Sequence, residues 1–202
     1  MRSITLAQAA LFAALAMALL IGFSVVDNAT LIGNPLLWLG SIIPSIGWAG
    51  FYFVVYRSVY RSPSLAKAAA WITLAAVILE AVITYIRFQQ SVAYWTPFGS
   101  AMSWSGWAFR LGWMVFLTSF ALSPDNARTR QLALALAIVL APSTLCAAFA
   151  AFNSWTGLLV DDVPRQAVWR VLITPAIRTI FWLSQILFLW TAWGNPDRRD
   201  SV

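Results

Sequence analysis

The stretch from Ala66 to Ile86, AKAAAWITLAAVILEAVITYI, is the clearest guide to the fold. At about 1.5 Å per residue in a helix, it is long enough to cross about 30 Å of hydrocarbon. Its charged side chains are Lys67, near one end, and Glu80, inside the run. The stretch therefore predicts a membrane-spanning helix with one ionisable group inside it.

Six runs of this kind occur along the chain, with only short linkers between them. They cover Ile4 to Val26, Leu36 to Tyr56, Ala66 to Ile86, Ser100 to Leu122, Leu132 to Phe152 and Val171 to Trp193. The first run is too long for the apolar core of a signal peptide, so we expect it to remain as the first helix. Residues 1–202 are thus predicted to form one all-α domain, a polytopic integral membrane protein built as a bundle of six transmembrane helices.

The composition supports this fold class and excludes others. Hydrophobic residues make up 61% of the chain and charged residues 10%, whereas a soluble domain averages about 45 to 50% and about 25%. The net charge is +6, but the basic residues form no run, so no nucleic-acid partner is predicted. The chain has no histidine and a single cysteine, Cys146, so we predict no metal, cofactor or internal disulfide.

The basic residues indicate how the bundle lies in the lipid bilayer. If the linkers alternate between the two sides, eight arginine and lysine residues fall on one side and three on the other. The larger set is Arg2, Arg57, Arg61, Lys67, Arg128, Arg130, Arg198 and Arg199, and the smaller set is Arg87, Arg165 and Arg170. Because cytoplasmic segments are enriched in arginine and lysine, both termini are expected in the cytoplasm, in a plasma membrane or a bacterial inner membrane.

Prolines mark helix starts and predicted bends. The pairs Ser62-Pro63 and Ser123-Pro124 are typical of a serine cap followed by proline at a helix start, so tight turns are expected there. Pro44, Pro142 and Pro175 lie inside the second, fifth and sixth runs and predict kinks in those helices.

Three ionisable side chains, Glu80, Arg110 and Arg178, lie inside the runs. Each costs about 2.5 to 3.5 kcal/mol on membrane-insertion scales, so each needs a partner or a function. Counted from the outer ends of their helices they lie at similar depths, which predicts a shared polar centre in the outer half of the bundle, with Glu80 paired to at least one guanidinium. With their neighbours at helical spacing, the predicted substrate-binding residues are Glu80, Thr84, Arg110, Arg178, Trp182 and Gln185.

Three interpretations of this centre stay open. It is a buried ion pair that fixes helix packing, a binding site for a solute or ion, or a contact with the membrane helix of a partner subunit. Two arginines and one glutamate leave one positive charge over, which suits a small anionic or amphipathic solute. The corresponding functions are a small transporter, permease or membrane-embedded solute-binding subunit and, alternatively, a non-catalytic accessory subunit of a larger membrane complex.

A third function is a metal-independent membrane enzyme that acts on a lipid-like substrate. Glu80 would serve as its acid or base, and Trp104, Trp107 and Trp182 would line an apolar pocket. The sequence has no Gly-rich phosphate loop and offers no candidate catalytic set, so it favours a non-enzymatic role.

The first run has no charge inside it and carries Ala10, Ala14 and Ala18 at four-residue spacing. Small residues at this spacing let another helix approach closely, either within the chain or from a partner membrane subunit. An Ala-rich first helix in a six-span chain with both termini inside resembles the membrane-embedded substrate-binding subunits of energy-coupling-factor vitamin importers. The resemblance covers the first helix, and it implies docking to a partner transmembrane subunit through the alanines.

Overall fold

The computed structural model describes residues 4–27, 42–58, 62–90, 97–124, 126–157 and 165–194. Within these ranges the chain forms six α-helices and no β-strand, which confirms the all-α prediction. The helices are α1 Leu6–Asp27, α2 Ile43–Ser58, α3 Pro63–Gln90, α4 Pro97–Leu122, α5 Ala127–Gly157 and α6 Arg165–Gly194. Helices α3 to α6 each begin before the first residue predicted for them, because linker residues continue the helix. Residues 36–41 of the second predicted run lie outside the described ranges.

The helix starts are set by local hydrogen bonds and by proline. Before α1, the Thr5 Oγ1 accepts a hydrogen bond from the Gln8 N–H (3.3 Å), and the Gln8 Oε1 accepts one from the Thr5 N–H (3.0 Å). This reciprocal pair, a capping box, satisfies two backbone donors that the helix itself leaves free. Proline occupies the first position of α3, as predicted, and also of α4.

The start of α5 differs from the prediction. The sequence favoured Ser123 as the capping residue, but the helix begins at Ala127, and the Asn126 Oδ1 accepts a hydrogen bond from the Arg128 N–H at 3.2 Å. The Ser123 carbonyl instead accepts the Thr129 hydroxyl at 2.8 Å. Asparagine caps a helix as well as serine does, so the prediction was wrong about which of two suitable residues performs this role.

The internal prolines occupy the expected helices. Pro142 lies inside α5 and Pro175 inside α6, and both helices continue past them. A kink at either proline stays a prediction. Pro44 lies in the first turn of α2 as described, where proline fits without loss of a hydrogen bond. The kink predicted at Pro44 depends on residues 36–41, which the structure does not describe.

The six helices form a ring, because each packs against its neighbour in the chain and α6 packs against α1. Alternate helices meet in the middle of this ring through aromatic side chains, whose centroids lie between 5.0 and 6.5 Å apart. We call this group the aromatic core; it consists of Phe51 and Tyr52 of α2, Phe116 and Phe120 of α4, and Phe188 of α6. All five side chains are buried, and most of their contacts are edge-to-face, an arrangement that aromatic pairs prefer.

Helices α2 and α3 approach each other most closely at Gly47. A Cβ at this position would lie 3.1 Å from the Ala76 Cβ, which is shorter than an ordinary van der Waals contact. The Thr73 hydroxyl of α3 also donates a hydrogen bond to the Gly47 carbonyl at 3.1 Å. The absence of a side chain at Gly47 therefore lets the two backbones touch.

The outward surface of the helices is strongly apolar. Large hydrophobic side chains are more than half exposed on all six described helices, for example Ile72 on α3, Leu111 on α4 and Ile138 on α5. Within the described residues, two helices contain a segment long and apolar enough to cross a membrane, Leu6–Phe23 in α1 and Pro63–Ile86 in α3. Helix α4 contains a shorter apolar segment, from Trp107 to Leu122.

Candidate functional site

Glu80 lies on the face of α3 that points into the bundle. One and two turns before it, Val77 and Thr73 are buried, and one turn beyond it Thr84 is half-buried. The three-and-four spacing of these residues places them on one side of the helix. The carboxylate is thus directed toward the neighbouring helix α4.

Arg110 of α4 meets Glu80 in an ion pair. The Arg110 Nη2 lies 2.9 Å and the Arg110 Nε 3.2 Å from the same Glu80 oxygen, Oε1. The side chains are 22% and 25% exposed, and the guanidinium carbon of Arg110 lies 6.0 Å from the centre of the Trp107 ring. Two charge-assisted hydrogen bonds to one carboxylate, with an aromatic face beside the cation, join α3 to α4.

Arg178 lies in a different place. It is exposed, and among the described residues it makes no ion pair with Glu80. Its side chain lines a cavity of about 360 Å³ between α1, α2 and α6, which we call the Arg178 pocket; the other lining residues are Leu20, Ile21, Ile42, Ser45, Phe181 and Trp182. The structure therefore brings together two of the three predicted charges and gives the third its own apolar surroundings.

Trp182 connects the two locations. It is half-buried, lines the Arg178 pocket and packs edge-to-face on Phe109 of α4, with ring centroids 5.2 Å apart. Phe109 is the residue next to Arg110, so the indole links the wall of the pocket to the helix that carries the ion pair.

Gln185, the last of the predicted residues, is buried at the edge of the aromatic core. The Tyr52 hydroxyl donates a hydrogen bond to the Gln185 Oε1, across the ring from α2 to α6. The Gln185 Nε2 and the Trp113 Nε1 are buried without a hydrogen-bond partner among the described residues. Burying a polar group without a partner is costly. The aromatic core is apolar inside and carries these polar groups at its edge.

Sequence reasoning missed Tyr52 and Ser45. A signal for Tyr52 is present, because Trp48, Tyr52 and Val55 are spaced as one buried helix face and all three are buried. No local signal marks Ser45, because the Arg178 pocket depends on the packing of α6 against α1 and α2, from which α6 is distant in sequence.

The alanines of α1 fall into two environments. Ala10 and Ala14 are buried against other helices of the same chain, whereas Ala18 is exposed. Two of the three positions therefore serve packing within the chain. Docking to a partner membrane subunit stays a prediction and would use the side of α1 that carries Ala18.

The described residues contain no group of three or more histidine, cysteine, aspartate or glutamate side chains placed to hold a metal ion. The side chain of Trp104, proposed for an enzymatic pocket, lies outside the described side chains. Trp107 is half-buried and packs on Tyr85, with ring centroids 6.4 Å apart, beside the Glu80–Arg110 pair.

Comparison of the chain with protein-family models, with curated proteins and with solved structures finds no match. A functional assignment therefore depends on the chemistry of the ion pair and of the Arg178 pocket.

Proposed function

We propose that this chain is a six-span membrane protein with both termini in the cytoplasm, and that it acts as a small transporter, permease or solute-binding membrane subunit. Its solute is a small anionic amphipathic molecule. The binding site is the Arg178 pocket, and the Glu80–Arg110 pair holds the neighbouring helices in place.

The distribution of apolar side chains supports a membrane environment. An all-helical ring with an apolar exterior, exemplified by Ile72, Leu111 and Ile138, has its hydrophobic residues outside as well as inside. A contiguous surface of this kind would associate in water, whereas in lipid it is the expected exterior. The excess of basic residues on one side supplies the orientation.

The single observation that carries the solute-binding proposal is Arg178 in an apolar cavity. In the proposed orientation Arg178 lies inside the membrane. An arginine there is costly in free energy unless it has an anionic partner or reaches water. Among the described residues no carboxylate lies within ion-pairing distance of it, whereas Arg110 already has Glu80. The cavity volume of about 360 Å³ falls at the lower end of the range for small-molecule sites, about 300 to 1,000 Å³.

The shape of the pocket fits an amphipathic molecule. Apolar walls from Leu20, Ile21 and Phe181 would cover the body of the solute, and the Trp182 ring would offer it an aromatic face. The Arg178 guanidinium would bind a carboxylate, sulfonate or similar anion through two parallel hydrogen bonds. One charged group on an apolar lining fixes the orientation of the ligand.

The position of the pocket fits capture from outside the cell. In the proposed orientation, Phe188 lies about 9 Å and Arg178 about 24 Å from the inner end of α6, counted at about 1.5 Å per residue. The aromatic core thus lies below the pocket and closes the inner half of the ring. This arrangement supports a carrier or binding subunit that takes up its solute from the outer side.

Paired probes test the proposal. Benzoate, hexanoate and benzenesulfonate are compared with their neutral amides, each added to the protein in a non-ionic detergent while thermal unfolding is followed. At about 100 times its Kd, a binding anion stabilises the protein by about 2.7 kcal/mol. Arg178→Gln is expected to remove the difference between anion and amide, whereas Arg57→Gln, which changes an exposed arginine at the inner end of α2, retains it.

The outcomes separate the alternatives. If no anion stabilises the wild-type protein more than its amide does, or if Arg178→Gln leaves the difference unchanged, the Arg178 pocket is not an anion site. Where anion binding depends on Arg178, uptake of labelled benzenesulfonate into proteoliposomes distinguishes a transporter from a binding subunit. A permanent anion crosses a protein-free bilayer slowly, so the background is low.

The accessory-subunit function remains a second proposal. It is favoured by the exposed face of α1, where Ala18 and Gly22 lie four residues apart beside the exposed side chains of Leu15 and Leu19. Small residues at this spacing are typical of helix–helix contacts in membranes. Mass measurement of the protein purified in mild detergent tests this proposal, because stoichiometric foreign subunits support it and a lone chain or homo-oligomer contradicts it.

A further inference from the structure

A second cavity lies at the turn between α4 and α5. It holds about 350 Å³ and shares no lining residue with the Arg178 pocket. Met114, Leu122 and Leu132 supply apolar walls, while Asn126 and Arg128 supply polar groups at the turn. We call it the turn cavity.

An apolar strip on the exposed surface of α4 runs from the turn cavity toward the middle of the helix. Leu111, Val115, Thr118 and Leu122 are spaced by four, three and four residues, which places them on one face of the helix. Leu111, Val115 and Leu122 are each about half exposed or more, and the strip is about 16 Å long at about 1.5 Å per residue. An apolar strip of this length, continuous with the turn cavity through Val115 and Leu122, fits an acyl chain.

Hydrogen bonds link the residues at the polar end of the cavity. The Asn126 side chain caps the Arg128 backbone N–H, and the Thr129 hydroxyl contacts the Ser119 hydroxyl at 2.7 Å and the Ser123 carbonyl at 2.8 Å. Arg128 is exposed and lines the cavity, and its backbone N–H is capped by Asn126. The segment from Ser123 to Arg130 contains two arginines and one aspartate, a net charge of +1.

We propose that the turn cavity and the α4 strip bind an anionic phospholipid of the cytoplasmic leaflet. Arg128 contacts the phosphate, and one acyl chain lies along Leu111, Val115 and Leu122. The proposal rests on the membrane orientation proposed above, which places this turn on the cytoplasmic side. That leaflet carries the anionic lipids, and a basic residue close to its surface is attracted to them.

A lipid titration followed by native mass spectrometry tests the proposal. The protein in non-ionic detergent is titrated with phosphatidylglycerol or with phosphatidylcholine of the same acyl chains, and the fraction carrying one lipid is measured. The wild-type protein is expected to bind phosphatidylglycerol more tightly. Arg128→Gln is expected to weaken phosphatidylglycerol binding about fivefold, the equivalent of about 1 kcal/mol for one arginine near a lipid surface.

Two further variants make the result specific. Arg57→Gln removes an exposed arginine from the same predicted side of the membrane and is expected to leave the affinity unchanged. Val115→Trp places a larger side chain in the lining of the turn cavity without a change of charge. It is expected to weaken the binding of both lipids, which provides an independent test should Arg128→Gln fail to fold.

Several results overturn the proposal. These are equal affinity for the two lipids, an equal loss in Arg57→Gln and Arg128→Gln, or unchanged binding in Val115→Trp. Complete competition by glycerol phosphate alone also contradicts it, because the headgroup would then bind without the acyl chain. The solute test uses Arg178 and the lipid test uses Arg128, so each can fail while the other succeeds.

Discussion

Arg110 and Arg178 are two arginines on neighbouring sides of the same bundle, and their surroundings differ. Arg110 is 22% exposed and donates two hydrogen bonds to Glu80, on the side where α2, α3 and α4 meet closely. Arg178 is exposed and lines an apolar cavity between α1, α2 and α6. Arg110 is paired with Glu80, whereas Arg178 makes no ion pair among the residues that the structure describes. Under the proposed function, the first charge holds helices together and the second recognises a ligand.

The two sides also differ in packing. On the side of Glu80, Gly47 allows α2 to touch α3, and Thr73 adds a hydrogen bond between them. On the side of Arg178, the helices leave about 360 Å³ between them. A closely packed side with matched charges resists movement, whereas the open side has room for a solute. The predictions below test whether this contrast in geometry is also a contrast in energy.

The largest effect is expected at the ion pair. Glu80→Gln or Arg110→Gln removes one member of the ion pair in surroundings of low polarity and should destabilise the protein by about 3 kcal/mol. The double variant removes both charges and should cost less than either single variant. Reversible unfolding with sodium dodecyl sulfate in mixed micelles measures all three free energies.

The double-mutant cycle has a clear opposite outcome. If the free-energy cost of the double variant equals the sum of the costs of the two single variants, Glu80 and Arg110 are not coupled. The ion pair would then not hold α3 and α4 together. Additivity would also mean that each side chain acts through other contacts.

A smaller effect is expected at the contact between α2 and α3. Gly47→Leu places a side chain where even a Cβ would meet the Ala76 Cβ at 3.1 Å, so the helices must separate, at a cost of about 1 to 3 kcal/mol. Gly50→Leu is the matched control, because nothing lies within 4 Å of a Cβ built at Gly50.

The control substitution is expected to be neutral or slightly stabilising, since leucine favours a helix over glycine by somewhat less than about 1 kcal/mol. Equal destabilisation by the two substitutions, measured by the same unfolding titration, would mean that α2 and α3 do not depend on a close approach at Gly47. The packing contrast between the two sides would then be lost.

The sequence predicted those features that depend on local chemistry. The six helices follow from six long apolar runs, because the length and hydrophobicity of a segment are properties of that segment alone. The inward face of α3 around Glu80 also follows from local spacing, since Thr73 and Val77 lie at helical spacing from Glu80 and are buried. Both features can be derived without knowing where any other helix lies.

The features that the sequence did not predict depend on the arrangement of the helices around the ring. Counting residues from helix ends gave Glu80, Arg110 and Arg178 similar depths, but depth does not specify on which side of a helix its neighbour lies. Helix α6 packs between α5 and α1, and this order places Arg178 toward α1 and α2. The Tyr52–Gln185 hydrogen bond joins residues 133 positions apart and depends on the same arrangement.

The smallest effect is expected at Arg178, and it is the most informative because it should be close to zero. Without added ligand, Arg178→Gln removes an exposed guanidinium that makes no ion pair among the described residues, so unfolding in mixed micelles should change by less than about 0.5 kcal/mol. Arg110→Gln, the same chemical change on α4, should cost several times more. A loss at Arg178 equal to that at Arg110 would show that Arg178 holds the fold together, and the surplus positive charge would no longer be available for a solute. A negligible loss, together with loss of anion binding by the same variant, can only be explained by a side chain that contributes to recognition and not to stability.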